Sequence, residues 1–454
     1  MAPLDDAPAG AAPAIDALLD WPADSLPSLT TLLALRRRWM AKDFADLRLE
    51  YEAAVVRNGA PDTQARAEPM VQALPSAPGF QWMHRHIQDR TWRLCERIVD
   101  ARADEIAEAL RPAPGDLGTL EDTEGFEYPA YYTFDYHRQS GGIWREDLGA
   151  AIYLLGARIV HVGRNSDFQL HDQFVDEIEL DRAPERILDL GCGFGKTTFS
   201  LKRRWPGAEV EGIDLADPCL KLGRKMATAR GQAIRWRQAD IERLPHEDGS
   251  ADLAVITMVL HEMPESAIRA SFAEAHRVLR PGGVLVTLEN RLIGDPFRDT
   301  LLKWYSQLID EPYWEPFRHL DIEEVARTAG FETARLDKWY IAGTDGPAAE
   351  ADPRRWCTPW GRVTAVKGGA ASREAPVRDT EIPDSPDIAV GALLGTGDVD
   401  RLAAVLHALM EEVADLSVRL ARVEADLAER PGDAPRDLAA VQAHVAALVA
   451  RVTG

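Results

Sequence analysis

Apolar and polar positions divide the middle of the chain into short apolar runs that alternate with stretches of helical spacing. The runs predict five strands, and the segments between them predict helices. The five runs are ERILDLGC, AEVEGIDL, IRWRQADI, ADLAVITMVL and GGVLVTLEN. Such alternation is typical of a parallel sheet covered by helices on both faces. Two later runs, ARLDKWYIAG and WGRVTAVK, predict an antiparallel pair of strands.

The residues before this region predict a tail, helices and an aromatic segment. Residues 1–28 are rich in Ala, Pro and Asp and predict a disordered tail. Apolar spacing then predicts helices over about 28–58 and 81–110, so an α-helical N-terminal unit is expected over residues 29–124. The aromatic segment GFEYPAYYTFDYHRQSGGIW follows, and IYLLGARIV after it predicts either a helix or a short strand.

A different period marks the C-terminal part of the chain. Residues 368–397 are rich in Gly, Ala, Pro and Asp and predict a flexible linker. Within 398–454, apolar residues are spaced 4, 3, 4, 3, 4, 3, 4, namely Leu402, Leu406, Leu409, Val413, Leu416, Leu420, Val423 and Leu427. This heptad predicts a coiled coil, and with it a homo-oligomer, most simply a dimer. Because Pro431-Gly432 interrupts the pattern before a shorter helix, a hairpin folded back on itself is the alternative.

The composition and charge narrow the class of protein. The chain has 454 residues, of which 46% are hydrophobic and 28% charged, as is ordinary for a globular protein. The 52 basic and 74 acidic residues give a net charge of −22, which argues against nucleic acid or an anionic membrane as a partner. Much of the acidic excess lies in the tail, the linker and the coiled coil. The lack of a recognisable nucleic-acid-reading module therefore carries more of that argument.

The cysteines, the histidines and the N-terminus indicate the compartment. The four cysteines lie far apart without a CxxC pair, which favours neither a zinc knuckle nor a disulfide framework. The histidines show no metal-ligand spacing, so no metal site is expected. The first residues lack the positive start and apolar run of a signal peptide, and no apolar window reaches ~18 residues. We therefore expect a cytoplasmic protein that does not span a membrane.

The most informative motif, DLGCGFG at 189–195, follows a strand and precedes a helix. Its glycines let the backbone turn tightly and approach a ligand, and the next helix offers free N–H groups. A nucleotide P-loop is excluded because Leu190 stands where its first glycine belongs, although Gly195-Lys196-Thr197 matches its end. The GxGxxG of NAD-binding proteins departs from the spacing found here. What remains is DxGxGxG, the first motif of class I S-adenosylmethionine-dependent methyltransferases.

Residues 186–291 resemble these methyltransferases, particularly the group related to ubiquinone and menaquinone biosynthesis. Four segments match in order: ILDLGCGFG, VEGIDLA, RQADIERLP and RVLRPGGVLVTLE. The resemblance implies S-adenosylmethionine as the cofactor and a methyltransferase domain over 125–367, with the aromatic segment as a lid. It also implies an α/β fold, a doubly wound, mostly parallel, seven-stranded Rossmann-like sheet that the two late strands complete.

The resemblance assigns the cofactor to residues at strand ends. The implied cofactor-binding residues are Asp189, Gly191, Gly193, Gly195, Asp214, Leu215, Asp240 and Ile241. The glycines would line the methionine part of the cofactor, and Asp189 would hold its amino group. Asp214 would accept the ribose hydroxyls, and Asp240 the adenine amino group beside the N–H of Ile241. The alternative is that the aspartates only cap turns.

Catalytic candidates follow the fourth strand. Methyl transfer from a sulfonium is an in-line displacement, so the protein mainly aligns the reactants and excludes water. His261 and Glu262 are the catalytic candidates, with His261 as a general base near neutral pH. The alternative is that His261 only shapes its loop.

Residues that would contact the acceptor lie before the motif and after the fifth strand. They are Tyr132, Tyr136, His137, Glu289 and Asn290. The alternative for the aromatic rings is that they pack the N-terminal helices on the sheet. A second lid candidate spans residues 297–317. The run Arg36-Arg37-Arg38 is interpreted as a solvated helix face.

Together these features predict a methyltransferase that acts on a small-molecule or natural-product acceptor. The alternative is a cofactor-binding scaffold that recruits a partner through its coiled coil. An NAD oxidoreductase is disfavoured by the glycine spacing.

Overall fold

An eight-stranded mixed sheet forms the centre of the structure, a computed structural model that describes residues 15, 19–160, 168–291, 293–343, 346–357 and 359–369. The strands are β1 (Thr119–Glu121), β2 (Arg186–Leu190), β3 (Glu209–Asp214), β4 (Arg235–Gln238), β5 (Ala251–Thr257), β6 (Leu279–Asn290), β7 (Thr333–Trp339) and β8 (Trp360–Val366). Their order is β1-β4-β3-β2-β5-β6-β8-β7. All neighbouring pairs are parallel except the two that involve β8.

The sheet matches the predicted class but has one strand more than predicted. All seven predicted runs form strands, and the late pair is antiparallel. The additional strand, β1, pairs with β4 at the sheet edge and has three residues. A strand this short shows no alternating pattern in the sequence, which is why the prediction of seven strands missed it. The predicted coiled coil at 398–454 and most of the predicted linker lie outside the described residues.

Helices cover both faces of the sheet. They are α1 (Leu26–Arg38), α2 (Phe44–Asn58), α3 (Gln64–Gln72), α4 (Ala77–Asp100), α5 (Ala103–Leu110), α6 (Asp147–Val160), α7 (Gln169–Asp176), α8 (Lys196–Arg204), α9 (Asp217–Ala229), α10 (Glu265–Val278), α11 (Pro296–Leu308), α12 (Trp314–Arg318), α13 (Ile322–Thr328) and α14 (Pro347–Ala351). The segment IYLLGARIV, for which the sequence allows a helix or a short strand, is part of helix α6.

The N-terminal region differs in detail from its prediction. A π-helical turn, Trp39–Asp43, separates α1 from α2 where one helix was expected. The expected disordered tail ends before residue 28, because α1 begins at Leu26 and both Ile15 and Leu19 are buried. Isolated apolar residues in an Ala- and Pro-rich stretch give no periodic signal, so the sequence did not reveal their burial.

The N-terminal helices pack against helix α11, which follows β6. Strand β2 is buried on both faces, as expected for a parallel strand between helical layers. Phe44 and Leu47 of α2 share an apolar cluster with Phe297 and Leu301 of α11. The N-terminal helices therefore share an apolar core with the segment that follows β6.

Candidate functional site

The glycine-rich turn between β2 and α8 brings the backbone close to neighbouring side chains. Gly191 has a φ of +73°, and a Cβ there would lie 2.6 Å from Val259. Gly195 has a φ of +99°, and a Cβ there would lie 2.4 Å from the ring of Trp236. A larger residue at either position would therefore meet both backbone strain and a clash. Beside Gly193, by contrast, a Cβ would meet nothing within 4 Å.

Two buried carboxyl groups, Asp189 and Asp214, lie at the carboxyl ends of the adjacent strands β2 and β3. Asp189 accepts a hydrogen bond from the Thr198 hydroxyl at 2.6 Å. Asp214 accepts from the backbone N–H groups of Gly193 at 2.7 Å and Ala216 at 2.8 Å. Burial raises the pKa of Asp189 to about 7, with the charge of Asp214 adding to the effect. Burial likewise raises the pKa of Asp214 to about 6, although its backbone hydrogen bonds oppose the shift.

A cavity of about 80 Å³ lies beside these two carboxyl groups. Most of the predicted cofactor residues line it, namely Asp189, Gly191, Gly193, Asp214, Leu215 and Ile241. The predicted lid residue Tyr132 and the catalytic candidate Glu262 lie in its wall as well. We call it the smaller cavity.

Two predicted cofactor residues are not among the described residues that line the smaller cavity. Gly195 packs against Trp236 and starts helix α8. Asp240 accepts a hydrogen bond from the backbone N–H of Glu242 at 2.9 Å, as a turn-capping aspartate does. Asp214 accepts from the N–H of Ala216 in the same pattern, so a turn cap and a cofactor contact are compatible at Asp240.

A larger cavity of about 240 Å³ adjoins the smaller one. The two have four lining residues in common: Tyr153, Lys196, Met258 and Glu262. The rest of its wall is mainly apolar and aromatic, with contributions from the N-terminal helices, α11 and the segment after it. Among these residues are Trp39, Met40, Trp92, Leu302, Tyr305 and Trp314.

A buried cluster of histidines and glutamates lies where the two cavities meet. The His137 ring is 3.2 Å from a Glu262 oxygen through Nε2 and 2.6 Å from a Glu311 oxygen through Nδ1. His261 Nδ1 is 2.7 Å from Glu289 Oε2. Because opposite charges face each other at these distances, the cluster is an extended ion-pair network.

The network keeps both histidines protonated at neutral pH. Burial lowers the pKa of His137, but Glu311 and Glu262 outweigh it and raise the value to about 10. Burial also lowers the pKa of His261, and Glu289, Glu311 and Glu262 raise it to about 9. A protonated imidazole cannot accept a proton, so the ligand-free geometry disagrees with the predicted role of His261 as a general base near neutral pH. Burial raises the pKa of Glu262, yet its histidine neighbours bring the net value below the usual range.

The structure places some of the predicted acceptor-binding residues in the cavity walls and buries the others outside those walls. His137 and Asn290 line the larger cavity, and Tyr132 lines the smaller one. Glu289 is buried and accepts hydrogen bonds from the N–H groups of Val259 and Leu260, so it holds the turn that carries His261.

Tyr136, like Glu289, is buried outside the two cavity walls. Its hydroxyl lies 2.7 Å from both the Tyr131 and the Glu262 carbonyl oxygens, and the side chain is buried. Neither Tyr136 nor Glu289 is among the described residues that line the smaller or the larger cavity. Their geometry is that of supporting residues rather than of the predicted acceptor contacts.

The sequence did not single out several residues of the cavity walls. Lys196 lies within Gly195-Lys196-Thr197, which matches only the end of a P-loop, and burial lowers its pKa to about 8. Its Nζ lies 5.2 Å from the centroid of the Tyr153 ring. Glu311 falls inside the second lid candidate, 297–317. Among the described residues, no group of His, Cys, Asp and Glu side chains is arranged to hold a metal ion.

Comparisons with known proteins agree with the glycine-rich motif. Residues 187–283 match the family model described as a methyltransferase domain. The demethylmenaquinone methyltransferase of Thermus thermophilus is 42% identical over 113 residues, 25% of this chain and 50% of the relative. The ubiquinone/menaquinone biosynthesis C-methyltransferase of Dinoroseobacter shibae is 37% identical over 127 residues, 28% of this chain and 50% of the relative. The chain thus spans about half the length of these curated relatives.

Solved structures show a weaker likeness. A phosphoethanolamine N-methyltransferase 2 of Haemonchus contortus, solved with S-adenosyl-L-methionine, gives a TM-score of 0.36 at 17% identity, covering 49% of this chain and 58% of that chain. The predicted resemblance is confirmed by the domain match and the curated relatives. The matched segment runs from β2 into β6 and is similar to a methyltransferase domain.

Proposed function

We propose that this protein transfers a methyl group from S-adenosylmethionine to a small-molecule acceptor. The observation that carries the proposal is the pair of adjoining cavities. The smaller one is lined by most of the residues that the resemblance assigns to the cofactor, and the larger one is lined mainly by apolar and aromatic side chains. A donor and an acceptor in adjoining sites meet at the shared wall, as a displacement reaction requires.

The smaller cavity fits the proposed cofactor chemically. Asp189 and Asp214 are buried carboxyl groups without a described cationic side chain as partner, so they suit a ligand with ammonium and hydroxyl donors. When bound, S-adenosylmethionine supplies a methyl group activated by its sulfonium. Asp214 would bind the ribose hydroxyls and Asp189 the amino group, while Tyr132 would exclude water from the site.

Glu262 is the side chain best placed to act on the acceptor. It lines both cavities, and its carboxyl group is ionised at neutral pH because His137 and His261 lower its pKa. It can accept a proton from the acceptor or hold a cationic acceptor nitrogen at the shared wall. His261, protonated and held by Glu289, would donate a hydrogen bond into the larger cavity.

The cofactor assignment is tested by calorimetry on the full-length protein with S-adenosylmethionine. Asp214→Ala removes two charge-assisted hydrogen bonds of about 1.5–3 kcal/mol each, so the affinity is expected to fall by about 100-fold or more. Asp248→Ala is the matched control, because Asp248 is exposed and pairs with Arg277 at the surface. Absence of binding by the wild-type protein at millimolar cofactor would contradict the proposal.

The role of Glu262 is tested with the same samples. Labelled S-adenosylmethionine is incubated with the protein and a small-molecule extract, and the label in the products is measured. Glu262→Gln is expected to keep cofactor binding and to slow transfer by about 100-fold or more. Transfer at the wild-type rate by this variant would remove Glu262 from the mechanism. Cofactor binding without transfer to any acceptor would favour the scaffold alternative.

We also propose that the protein self-associates through the heptad segment at 398–454. The support is the sustained 4, 3 spacing of apolar residues in the sequence. The dimer that this pattern predicts does not depend on the methyltransferase proposal.

A further inference from the structure

A buried arginine lies in the wall of the larger cavity, and no described carboxylate pairs with it. Arg36, in the last turn of α1, is 3% exposed. Its Nη2 donates a hydrogen bond to the Tyr305 hydroxyl at 3.1 Å. Its Nε and Nη1 atoms are buried and have no hydrogen-bond partner among the described residues. The interpretation of residues 36–38 as a solvated helix face is therefore wrong for Arg36, although Arg37 is exposed.

Burying an arginine with unpaired N–H groups costs free energy unless a ligand supplies the missing acceptors. Arginine is almost never fully buried without a partner, since a desolvated guanidinium loses its hydrogen bonds to water. The Tyr305 hydroxyl satisfies only one of its five N–H donors. An oxyanion would supply both the missing acceptors and the missing charge.

Among the described residues, no carboxylate makes a hydrogen bond or an ion pair with Arg36. The His84 ring stacks between Trp39, at 4.6 Å, and Tyr305, at 4.4 Å between ring centroids. Burial, together with the charge of Arg36, lowers the pKa of His84 to about 3, so this ring is neutral. Neither ring nitrogen of His84 has a hydrogen-bond partner among the described residues. This end of the cavity is therefore positive.

The positive end is separated from the histidine–glutamate cluster by two aromatic rings. Tyr305 lies 5.5 Å from Trp314, and Trp314 lies 5.0 Å from His261, between ring centroids. Arg36 and His261 both line the larger cavity. A ligand that reaches from one to the other passes along an apolar, aromatic wall.

We propose that Arg36 binds an oxyanion, a carboxylate or a phosphate, carried by the molecule that occupies the larger cavity. This inference rests on the proposed function only in identifying that molecule as the methyl acceptor. The acceptor is then an anionic compound with an apolar or aromatic body, anchored at Arg36 while its other end meets Glu262. Arg36 acts as a specificity-determining residue, since a neutral analogue would leave its guanidinium buried and unpaired.

The test is calorimetry on the full-length protein without S-adenosylmethionine, with three probes that have the same ring system. 2-Naphthoate and 2-naphthyl phosphate carry the anion, and 2-naphthamide is neutral. The wild-type protein is expected to bind at least one anionic probe about 10- to 100-fold more tightly than the amide. The tighter of the two anions tells whether the group is a carboxylate or a phosphate.

Variants connect this preference to Arg36. Arg36→Met is expected to bind the anionic probes no more tightly than the amide, and to bind the amide with the affinity of the wild-type protein. Arg36→Lys is expected to keep part of the preference for the anions. Arg37→Met is the matched control and should keep it in full. The ratio of anion to amide affinity is measured within each variant. If Arg36→Met does not fold, Arg36→Lys, which keeps the charge, still tests the proposal.

Three results would overturn the proposal. The first is equal affinity of the wild-type protein for naphthoate, naphthyl phosphate and naphthamide. The second is an unchanged preference for the anions in Arg36→Met. The third is no binding of either anion to the wild-type protein at millimolar concentration. Since no cofactor is present, these outcomes are independent of the cofactor-binding test. Either proposal can fail while the other stands.

Discussion

Asp189 and Asp214 show how the ends of adjacent parallel strands create an unusual electrostatic environment. Both carboxyl groups are buried, and each raises the free energy of the other's ionised form. A carboxyl group with a raised pKa stabilises the fold when protonated, and that contribution is lost as the pH rises through about 6–7. At neutral pH, a ligand that brings an ammonium group and hydroxyl donors would offset this cost.

Cofactor binding should therefore depend on pH through Asp189. The ionised form would pair with the amino group of S-adenosylmethionine, so below the pKa of about 7 a proton must leave before the ligand binds. Protonation of Asp189 alone is expected to lower the affinity by about 25-fold between about pH 7.5 and about pH 5.5. Calorimetry in two buffers of different ionisation enthalpy would show the released proton.

Asp189→Asn separates this contribution from that of its neighbour. The amide can still accept the hydrogen bond from Thr198, but it has no proton to lose in this range. The remaining pH dependence of the cofactor affinity is set by Asp214, whose pKa is about 6. Over the same interval it should not exceed about 4-fold. An undiminished pH dependence in Asp189→Asn would show that another group is responsible.

At the scale of single residues, sequence reasoning found the chemistry that lies next to the motif. Asp189 and Asp214 are recognisable because they directly end predicted strands. The protonation of His261 was not predictable, because the carboxylates that cause it come from positions 262, 289 and 311, which only the fold brings together. Arg36 was misinterpreted for the same reason, since its burial depends on α11 and on the ring of Tyr305.

At the scale of elements, the contact between α4 and α6 shapes the larger cavity. Gly156 of α6 lies against Trp92 of α4, and a Cβ at that glycine would be 2.2 Å from the Trp92 ring. The Trp92 ring lines the larger cavity, and its indole N–H donates to the backbone oxygen of His137. The helix pair therefore positions a member of the histidine–glutamate cluster through one close approach.

Gly156→Ala should destabilise the protein although alanine favours helices. Helix propensity alone predicts a gain of about 1 kcal/mol. The clash with Trp92 is expected to reverse the sign and to lower the free energy of unfolding by about 1–3 kcal/mol. Urea denaturation measures the difference. Gly79→Ala in α4 is the matched control, because a Cβ there meets nothing within 4 Å, and it should stabilise by about 0.5–1 kcal/mol. Equal gains in both variants would contradict this account of the helix contact.

The elements also show where a sequence pattern is sufficient. Strands β2 to β8 were predictable because each combines apolar runs with flanking turns. Strand β1 was not, because its three residues join the sheet through pairing with β4 and not through a pattern of their own. The break at Trp39–Asp43 likewise has no local signal, since no proline or glycine occurs within it.

At the scale of the whole molecule, the two cavities have different origins along the chain. The matched domain, 187–283, provides most of the wall of the smaller cavity. The larger cavity takes Arg36, Trp39 and Trp92 from the N-terminal helices and Tyr305 and Trp314 from residues after the domain match. Acceptor selection in the proposed function therefore resides outside the matched segment, and similarity within it does not identify the acceptor.

The oligomeric state is the property that the C-terminal sequence predicts most directly. In the heptad, Val413 occupies a core position, whereas Val418 lies on the opposite face, so the same substitution at the two sites distinguishes core packing from a general effect of charge. The full-length chain has a mass of 50.2 kDa, and light scattering is expected to give twice that value. Val413→Glu and a chain ending at residue 397 should both give the mass of a monomer.

Val418→Glu should remain a dimer, because a charge on the outer face of a coiled coil stays in water. A monomeric full-length protein would instead support a hairpin closed across Pro431-Gly432, in which the apolar positions of 402–427 pack on those of 438–452. A dimer that persists in both Val413→Glu and the truncated chain would mean that subunits associate through residues before 398.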